Sequence, residues 1–430
     1  MINDVMTEFL VEPMNLNRLF SNQTNRRQFL TRVGTVVFTV GMGLEFLNSC
    51  APIRPRQEEP PIPLSPTELR NKAIDNLFKI NLAVKRNERV LVFTDDQNPV
   101  VTKEAHYVAR RGVHFGEIIF FTYSKTGPSA AEPPKELWEK AFGKNVIEQI
   151  EKRDLMKRLL QRKLRDEELE TVKEIVRANR NDVVDVVIAL AWYSTTHTNF
   201  KKLLTDSAGA RFVSMPAFNP SMWQTAMAAD WEQVAQRTIA LKNKLSQAVS
   251  AHIKTPKGTD IFLDLRDREF SADTGLLNKP GRSGNLPAGE LSIAPVEGHS
   301  RGKIVIEPGI NPGVKEQIIF EIRDGRVNKM TGGVGYTSWL ESIFYKYPEA
   351  RTIAEFGVGT NEKAKIGTTL FESEKVLGTI RIAIGDNSTI GGRTLVPFHL
   401  DFIFKNSTVE ITFSDGRILH LFNKEGTLLS

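Results

Sequence analysis

Arg89-Val90-Leu91-Val92-Phe93-Thr94, closed by Asp95-Asp96, is the stretch on which the fold class turns. It is apolar at odd and even positions alike, so a strand formed there is covered on both faces. Helical spacing follows from Val100 to Arg111, and then a second run of the same kind, Glu117 to Tyr123 (EIIFFTY). Val183 to Ala191 (VVDVVIALA) supplies a third strand and Arg211 to Met215 a fourth. Strands apolar on both faces and separated by helical segments predict a parallel sheet covered by helices. Upstream, Ser65-Pro66-Thr67-Glu68 is a capping box with proline at the first helical position, so a helix starts there. Asn145 to Arg180 is dense in charge of both signs with Leu, Ile and Val at helical spacing, which reads as solvated surface helices. Trp231 to His252 reads as one long helix closing this half. Asp95-Asp96, at the C-terminal end of a strand, reads as a helix cap, and Trp192-Tyr193, Trp223 and Trp231 as packing.

From Lys254 onward the texture changes. Short β-rich runs alternate with turn residues: Asp260 to Leu265, Lys303 to Glu307, Gln317 to Ile322, Lys375 to Ile384, Phe398 to Phe404 and Thr408 to Phe413. Asp324-Gly325 and Asp415-Gly416 stand where hairpin turns are needed. The expectation is an α/β protein: a parallel-sheet α/β domain over 67–252, then an antiparallel-rich α+β domain over 253–430.

Composition bounds the rest. A chain of 430 residues with 40% hydrophobic and 25% charged residues is globular and long enough for a sizeable core. A net charge of +6 over that length is far from a nucleic-acid-binding stripe, so no nucleic-acid partner is expected. Cys50 is the one cysteine, which excludes an internal disulfide and a thiolate zinc site. No apolar run reaches the ~18 residues of a spanning helix. The first fifty residues read as an export signal. Arg26-Arg27 precede a short apolar run from Val33 to Phe46, the twin-arginine pattern, and Leu47-Asn48-Ser49-Cys50 resembles a bacterial lipoprotein cleavage site. Asn48 and Glu45 depart from that pattern. Residues 51–66, rich in proline, read as an extended tether. The expected location is outside the bacterial cytoplasmic membrane, lipid-anchored through Cys50 or periplasmic.

There is no glycine-rich phosphate loop before a helix, no His-Glu-x-x-His helix and no Gly-x-Ser-x-Gly elbow. Chemistry has to be sought elsewhere. In Pro397-Phe398-His399-Leu400-Asp401-Phe402-Ile403-Phe404 the apolar residues alternate, so His399 and Asp401 project together from the other face. An imidazole and a carboxylate two apart on a strand can ligate one divalent ion, and polar decoration of a solvent face is the plain alternative. Three further segments stand out. Gly284-Asn285-Leu286-Pro287-Ala288-Gly289-Glu290 presents Glu290 after a turn-rich approach. Ala354-Glu355-Phe356-Gly357-Val358-Gly359-Thr360-Asn361 presents Glu355 before a flexible Gly-x-Gly loop. Glu374 to Gly385 reads as a strand with Arg381 opposite Ile380, Ile382 and Ile384.

Together with Thr255 to Asp260, Ser214-Met215-Pro216 and Ala229-Asp230, these segments resemble the aminopeptidase T family of metallopeptidases. The resemblance implies a two-metal site in the C-terminal domain built from Glu, Glu, His, His and Asp. Carried over, Glu290, Glu355, His399 and Asp401 match four of the ligands, with Glu290 or Glu355 as the proton-accepting carboxylate. The fifth position is Arg381, which departs from the family. A guanidinium cannot ligate a cation and brings a fixed positive charge to that corner. Either one ion remains or Arg381 replaces the second by pairing with Glu290 or Glu355; His299 is a candidate replacement imidazole, with a surface loop as its plainer place. The implied cofactor is a divalent metal (zinc, cobalt or iron), as one or two ions. The implied activity is removal of N-terminal residues from peptides. The superfamily's other branch resembles mononuclear non-heme iron dioxygenases that open dihydroxypyridine rings with a His, His, Asp set. A non-catalytic lipid-tethered homologue is a third reading. The substrate is thus a peptide or a small molecule, and homodimer formation stays open.

Overall fold

The computed structural model describes residues 64–422 except Lys125, Thr126, Pro128 and Thr368, together with Leu428. Arg26, Arg27, Cys50 and nearly all of the proline-rich tether lie outside the described residues. Among the described residues no helix is long and apolar enough to cross a membrane.

The capping box forms as the residues dictate. Ser65 N–H donates to Glu68 at 2.8 Å and Glu68 N–H donates back to Ser65 Oγ at 3.3 Å, starting the helix Pro66–Asn76. The apolar runs build a five-stranded parallel sheet in the order Glu117–Tyr123, Arg89–Asp95, Val186–Ala189, Arg211–Ser214, Ser283–Asn285. Alternate residues enter different cores: Leu91, Phe93, Val187 and Phe212 on one side, Val90, Val92, Ile188 and Val213 on the other. Burial of both faces is what selects the parallel arrangement. The fifth strand, Ser283–Asn285, comes from beyond residue 253, so this sheet draws on both halves of the chain.

Two antiparallel sheets follow. One has seven strands, in the order Arg326–Thr331, Ile318–Arg323, Arg301–Ile306, Asp260–Asp264, Ala248–Lys254, Thr408–Phe413, Ile418–His420. The other has five, in the order His399–Phe404, Ile380–Gly385, Ile353–Gly359, Glu290–Ile293, Ser271–Asp273. Ile253, Ile261, Ile304 and Phe320 of the first share a core with Leu291, Phe356, Ile382 and Phe402 of the second. Phe320 meets Phe402 edge to face, with ring centroids 5.5 Å apart. Both Asp-Gly pairs sit between paired antiparallel strands, as their turn chemistry requires.

Four local expectations are corrected. The helix from Trp231 ends at Lys244; Gln247 takes φ 67°, and Ala248–Lys254 becomes a strand. Buried Ala251 and Ile253 there alternate with less buried His252 and Lys254, a period of two that pairing with Thr408–Phe413 stabilises. The strand expected from Lys375 begins only at Ile380, because Lys375 to Thr379 turn after the short helix Leu370–Ser373. Gly357 and Gly359 lie inside the strand Ile353–Gly359, not in a flexible loop. Asp95 is not a helix cap: Asn98 caps Pro99–Gly112, while Asp95 accepts the N–H groups of Trp192 and Tyr193 at 3.1 and 2.9 Å.

Candidate metal centre

The five-stranded antiparallel sheet has one apolar face and one charged face. Phe356, Val358, Ile380, Ile382, Ile384, Leu400, Phe402 and Phe404 enter the shared core, so the intervening residues project the other way. On that second face several charged residues stand opposite small ones. Arg381 pairs with Gly357, Glu290 with Gly359, His399 with Gly385, and Ala383 lies between Glu355 and Asp401. Directly opposed Cβ atoms in antiparallel strands are about 4.5–5.5 Å apart, so small partners leave room for long charged side chains. At Gly357 a Cβ would lie 3.0 Å from Arg381 Nε.

In this space the expected residues meet. His399 Nε2 is 3.4 Å from Glu355 Oε2 and 3.3 Å from Asp401 Oδ1. Its Nδ1 lies 2.7 Å from the Asp386 carbonyl oxygen, which can only accept, so Nδ1 carries the proton and Nε2 faces the carboxylates. Arg381 pairs with Glu355, stands 2.8 Å from Glu374 and 3.2 Å from Glu290, and approaches Asp401 at 3.5 Å. Lys375 Nζ is 2.6 Å from Glu290 Oε1 and 2.8 Å from Glu374 Oε1. Apart from His399, whose side chain is 34% exposed, the group is largely buried.

Burial dominates the electrostatics, and the neighbours decide its outcome. It would raise the pKa of Glu355, but Arg381 and His399 outweigh it and hold that carboxyl below its usual range. Asp401 is likewise raised by burial and brought down further by Arg381 and His399. For His399 burial opposes the charged form, yet Asp401 and Glu355 lift its pKa well above the ordinary imidazole value. Burial pushes Glu374 up to about 7 despite Lys375 and Arg381.

A divalent ion fits part of this group. One ligand atom each from Glu355, His399 and Asp401 lies within 4.8 Å of the others, and among the described residues no other set of three donors does so. The Nδ1–H to carbonyl bond is the support that metal-bound imidazoles usually have. Two carboxylates match the charge of a divalent cation, and the exposed edge of His399 leaves a side open. Glu290 is not in this donor set: Lys375 hydrogen-bonds its Oε1, and Arg381 stands 3.2 Å from its Oε2. His299 is outside it too, turned to the Glu297 carbonyl at 2.8 Å. Asp386 and Asn387 act through turn chemistry: Asp386 accepts Ser388 and Val396 N–H groups, and Asn387 binds Glu297. Loading a divalent ion is expected to release about one proton, since Nε2 must be unprotonated to ligate. Affinity should then fall by up to about tenfold per unit as pH is lowered below the His399 pKa. Calorimetry in buffers of different ionisation enthalpy reads this directly; binding without proton release would remove His399 from the ligand set.

Asp273, Glu374 and Lys375 were not singled out by sequence. Asp273 faces Glu290 across the strand pair, and burial raises its pKa to about 6. The one available signal was that Glu374-Lys375 precedes the Arg381 strand, and reading the two as part of that strand concealed it. His197 lies on the loop after Val186–Ala189. Burial lowers its pKa, and the charges of Asp386 and His399 act on it.

An α/β chain whose antiparallel sheet gathers Glu, His and Asp around a one-ion space defines a metalloenzyme-like scaffold. The chain belongs to the NicX, or 2,5-dihydroxypyridine 5,6-dioxygenase, family, whose sequence profile matches residues 140–419. A 2,5-dihydroxypyridine 5,6-dioxygenase from Pseudomonas putida KT2440 is 24% identical over 193 residues, 41% of this chain and 55% of that protein. The match therefore spans little more than half of that relative's length. The solved structure of 2,5-dihydroxypyridine dioxygenase from the same organism superposes with a TM-score of 0.60 at 19% identity, covering 86% of this chain and 99% of that one. Wild-type AmpT from Thermus thermophilus superposes with a TM-score of 0.54 at 15% identity, covering 85% and 100%. The superfamily expected from the motifs is the right one. The branch whose profile matches is the ring-opening one, and the aminopeptidase likeness is one of fold.

Proposed function

We propose that this chain is a one-ion enzyme that opens a dihydroxylated nitrogen-heteroaromatic ring with dioxygen, in preference to a two-ion aminopeptidase. The observation that carries the reading is the surroundings of Arg381. Hydrolysis by paired ions needs both metals about 3.5–4 Å apart, bridged by carboxylates. Here Glu290 and Glu374 turn both oxygens, and Glu355 its Oε1, toward Arg381 and Lys375, which contest the second ion's place. Membership in a family named for a dihydroxypyridine dioxygenase supports the same direction. A ferrous ion held by Glu355, His399 and Asp401 would supply substrate chelation and dioxygen chemistry. The residues do the rest. The Asp386 carbonyl aims His399, Arg381 keeps Glu355 ionised and oriented, and the exposed side of His399 admits the ring.

The test is an assay of purified protein loaded with iron(II) under argon and then exposed to oxygen. Consumption of 2,5-dihydroxypyridine with one equivalent of oxygen is expected, and zinc-loaded protein should show none. Release of amino acids from peptides by protein carrying two zinc or cobalt ions, with no oxygen uptake, would sink the reading.

The mature chain is proposed to sit outside the cytoplasmic membrane, held by lipid on Cys50 after export directed by Arg26 and Arg27. This rests on sequence alone. Mass spectrometry of the membrane fraction should find a chain starting at an acylated Cys50; a chain retaining residues 1–49 with a free thiol would refute it.

A further inference from the structure

Lys375 is only 1% exposed, yet it carries a charge into the protein interior. Such a charge is tolerated only when paired and hydrogen-bonded. Its Nζ lies 2.6 Å from Glu290 Oε1, 2.8 Å from Glu374 Oε1 and 4.0 Å from Asp273 Oδ2. Glu290 accepts one of its N–H donors, and Glu374 and Asp273 add charge at ion-pair distance. Arg381 approaches the same two glutamates from the other side, through Nη1 to Glu374 Oε2 at 2.8 Å and Nη2 near Glu290 Oε2 at 3.2 Å. Each glutamate therefore spans two cations, one per oxygen, as bridging carboxylates span two metal ions. Arg381 then shares Glu355 and Asp401 with the candidate ion.

We infer that Lys375 closes a ring of two cationic side chains and two bridging glutamates, and that this ring stands in for a second metal ion and limits the site to one. Lys375 is thus a positioning residue: it holds Glu290 and Glu374 away from metal and so keeps Arg381 turned toward Glu355. The inference rests on the one-ion reading above, in that the wild type must hold an ion at Glu355, His399 and Asp401. The placement of Gly357 agrees with it, since a Cβ there would press on Arg381 Nε.

Zinc per chain is measured by mass spectrometry after dialysis, and melting is followed in EDTA and in excess zinc, for wild type, K375R, K375M and K375M/E374Q. Wild type and K375R should hold one ion. K375M should rise towards two, melt roughly 5–10 °C lower in EDTA, and recover in zinc. K375M/E374Q removes one charge of each sign, so it should return to one ion and regain most of its melting temperature in EDTA. K375M holding the wild-type amount of zinc, with equal loss of melting temperature in both media, would overturn the ring. If K375M cannot be purified, the double variant decides: folded with one ion supports the inference, and failure to fold overturns it. A wild type without any ion sinks the one-ion reading instead. The ring is then judged on melting in EDTA, where K375M lowered and the double variant recovered supports it and any other order does not.

Discussion

His399→Ala is expected to weaken divalent-ion binding by at least about 100-fold and to abolish any ion-dependent turnover. Loss of a residue that merely supports a metal ligand already costs about 10–100-fold. His399 is more than a support: its Nε2 lies 3.3–3.4 Å from both carboxylates of the donor set, with Nδ1 committed to the Asp386 carbonyl. Its removal leaves Glu355 and Asp401 facing each other across the gap without the neutral ligand. His299→Ala is the control, since that ring is turned to a loop carbonyl away from the site. Titration calorimetry with zinc or manganese separates the outcomes. Equal weakening by both substitutions would mean that the ion binds elsewhere.

Arg381→Leu is expected to destabilise the fold by about 3–5 kcal/mol, the effect of removing one partner from a buried ion network. The guanidinium touches Glu355, Glu374 and Glu290 and approaches Asp401, and all four lie in or against the apolar interior. Leucine fills much of the volume but leaves these buried carboxylates without their main counter-charge, so at neutral pH they either repel one another or must take up protons. The loss should shrink as pH falls and the carboxylates take up protons. Arg381→Lys should recover only part of it, because an ammonium cannot reproduce the planar fork that engages several carboxylates at once. Urea denaturation at neutral and mildly acidic pH measures all three. A loss under about 1 kcal/mol for Arg381→Leu would show that the network is solvated and that Arg381 does not organise it.

Much of the architecture was legible because it follows from local pattern. Runs such as Arg89–Thr94, apolar on both faces, can be satisfied only between two covering layers, and Asp-Gly pairs turn antiparallel strands wherever they fall. Alternation in Pro397 to Phe404 likewise placed His399 and Asp401 side by side before any tertiary contact was known. Pattern was least informative where a segment changes role within a few residues. Trp231 to His252 has helical spacing throughout, but its last part pairs with a strand more than 150 residues away, and long-range pairing overrode local preference.

What the sequence determined by itself was the alternation that sends His399, Asp401 and Arg381 to one side of their strands, and the small residues near them. What only tertiary structure decided was which charges neutralise which. Strand register set Gly357 against Arg381 and Gly359 against Glu290, and a turn swung Lys375 under the sheet to Glu290 and Glu374. The physical reason is distance. Side-chain direction along a strand is fixed by a two-residue period, whereas pairing energy between buried charges depends on separations of a few ångströms. Those separations are set by residues far apart in the chain, 85 positions apart for Lys375 and Glu290.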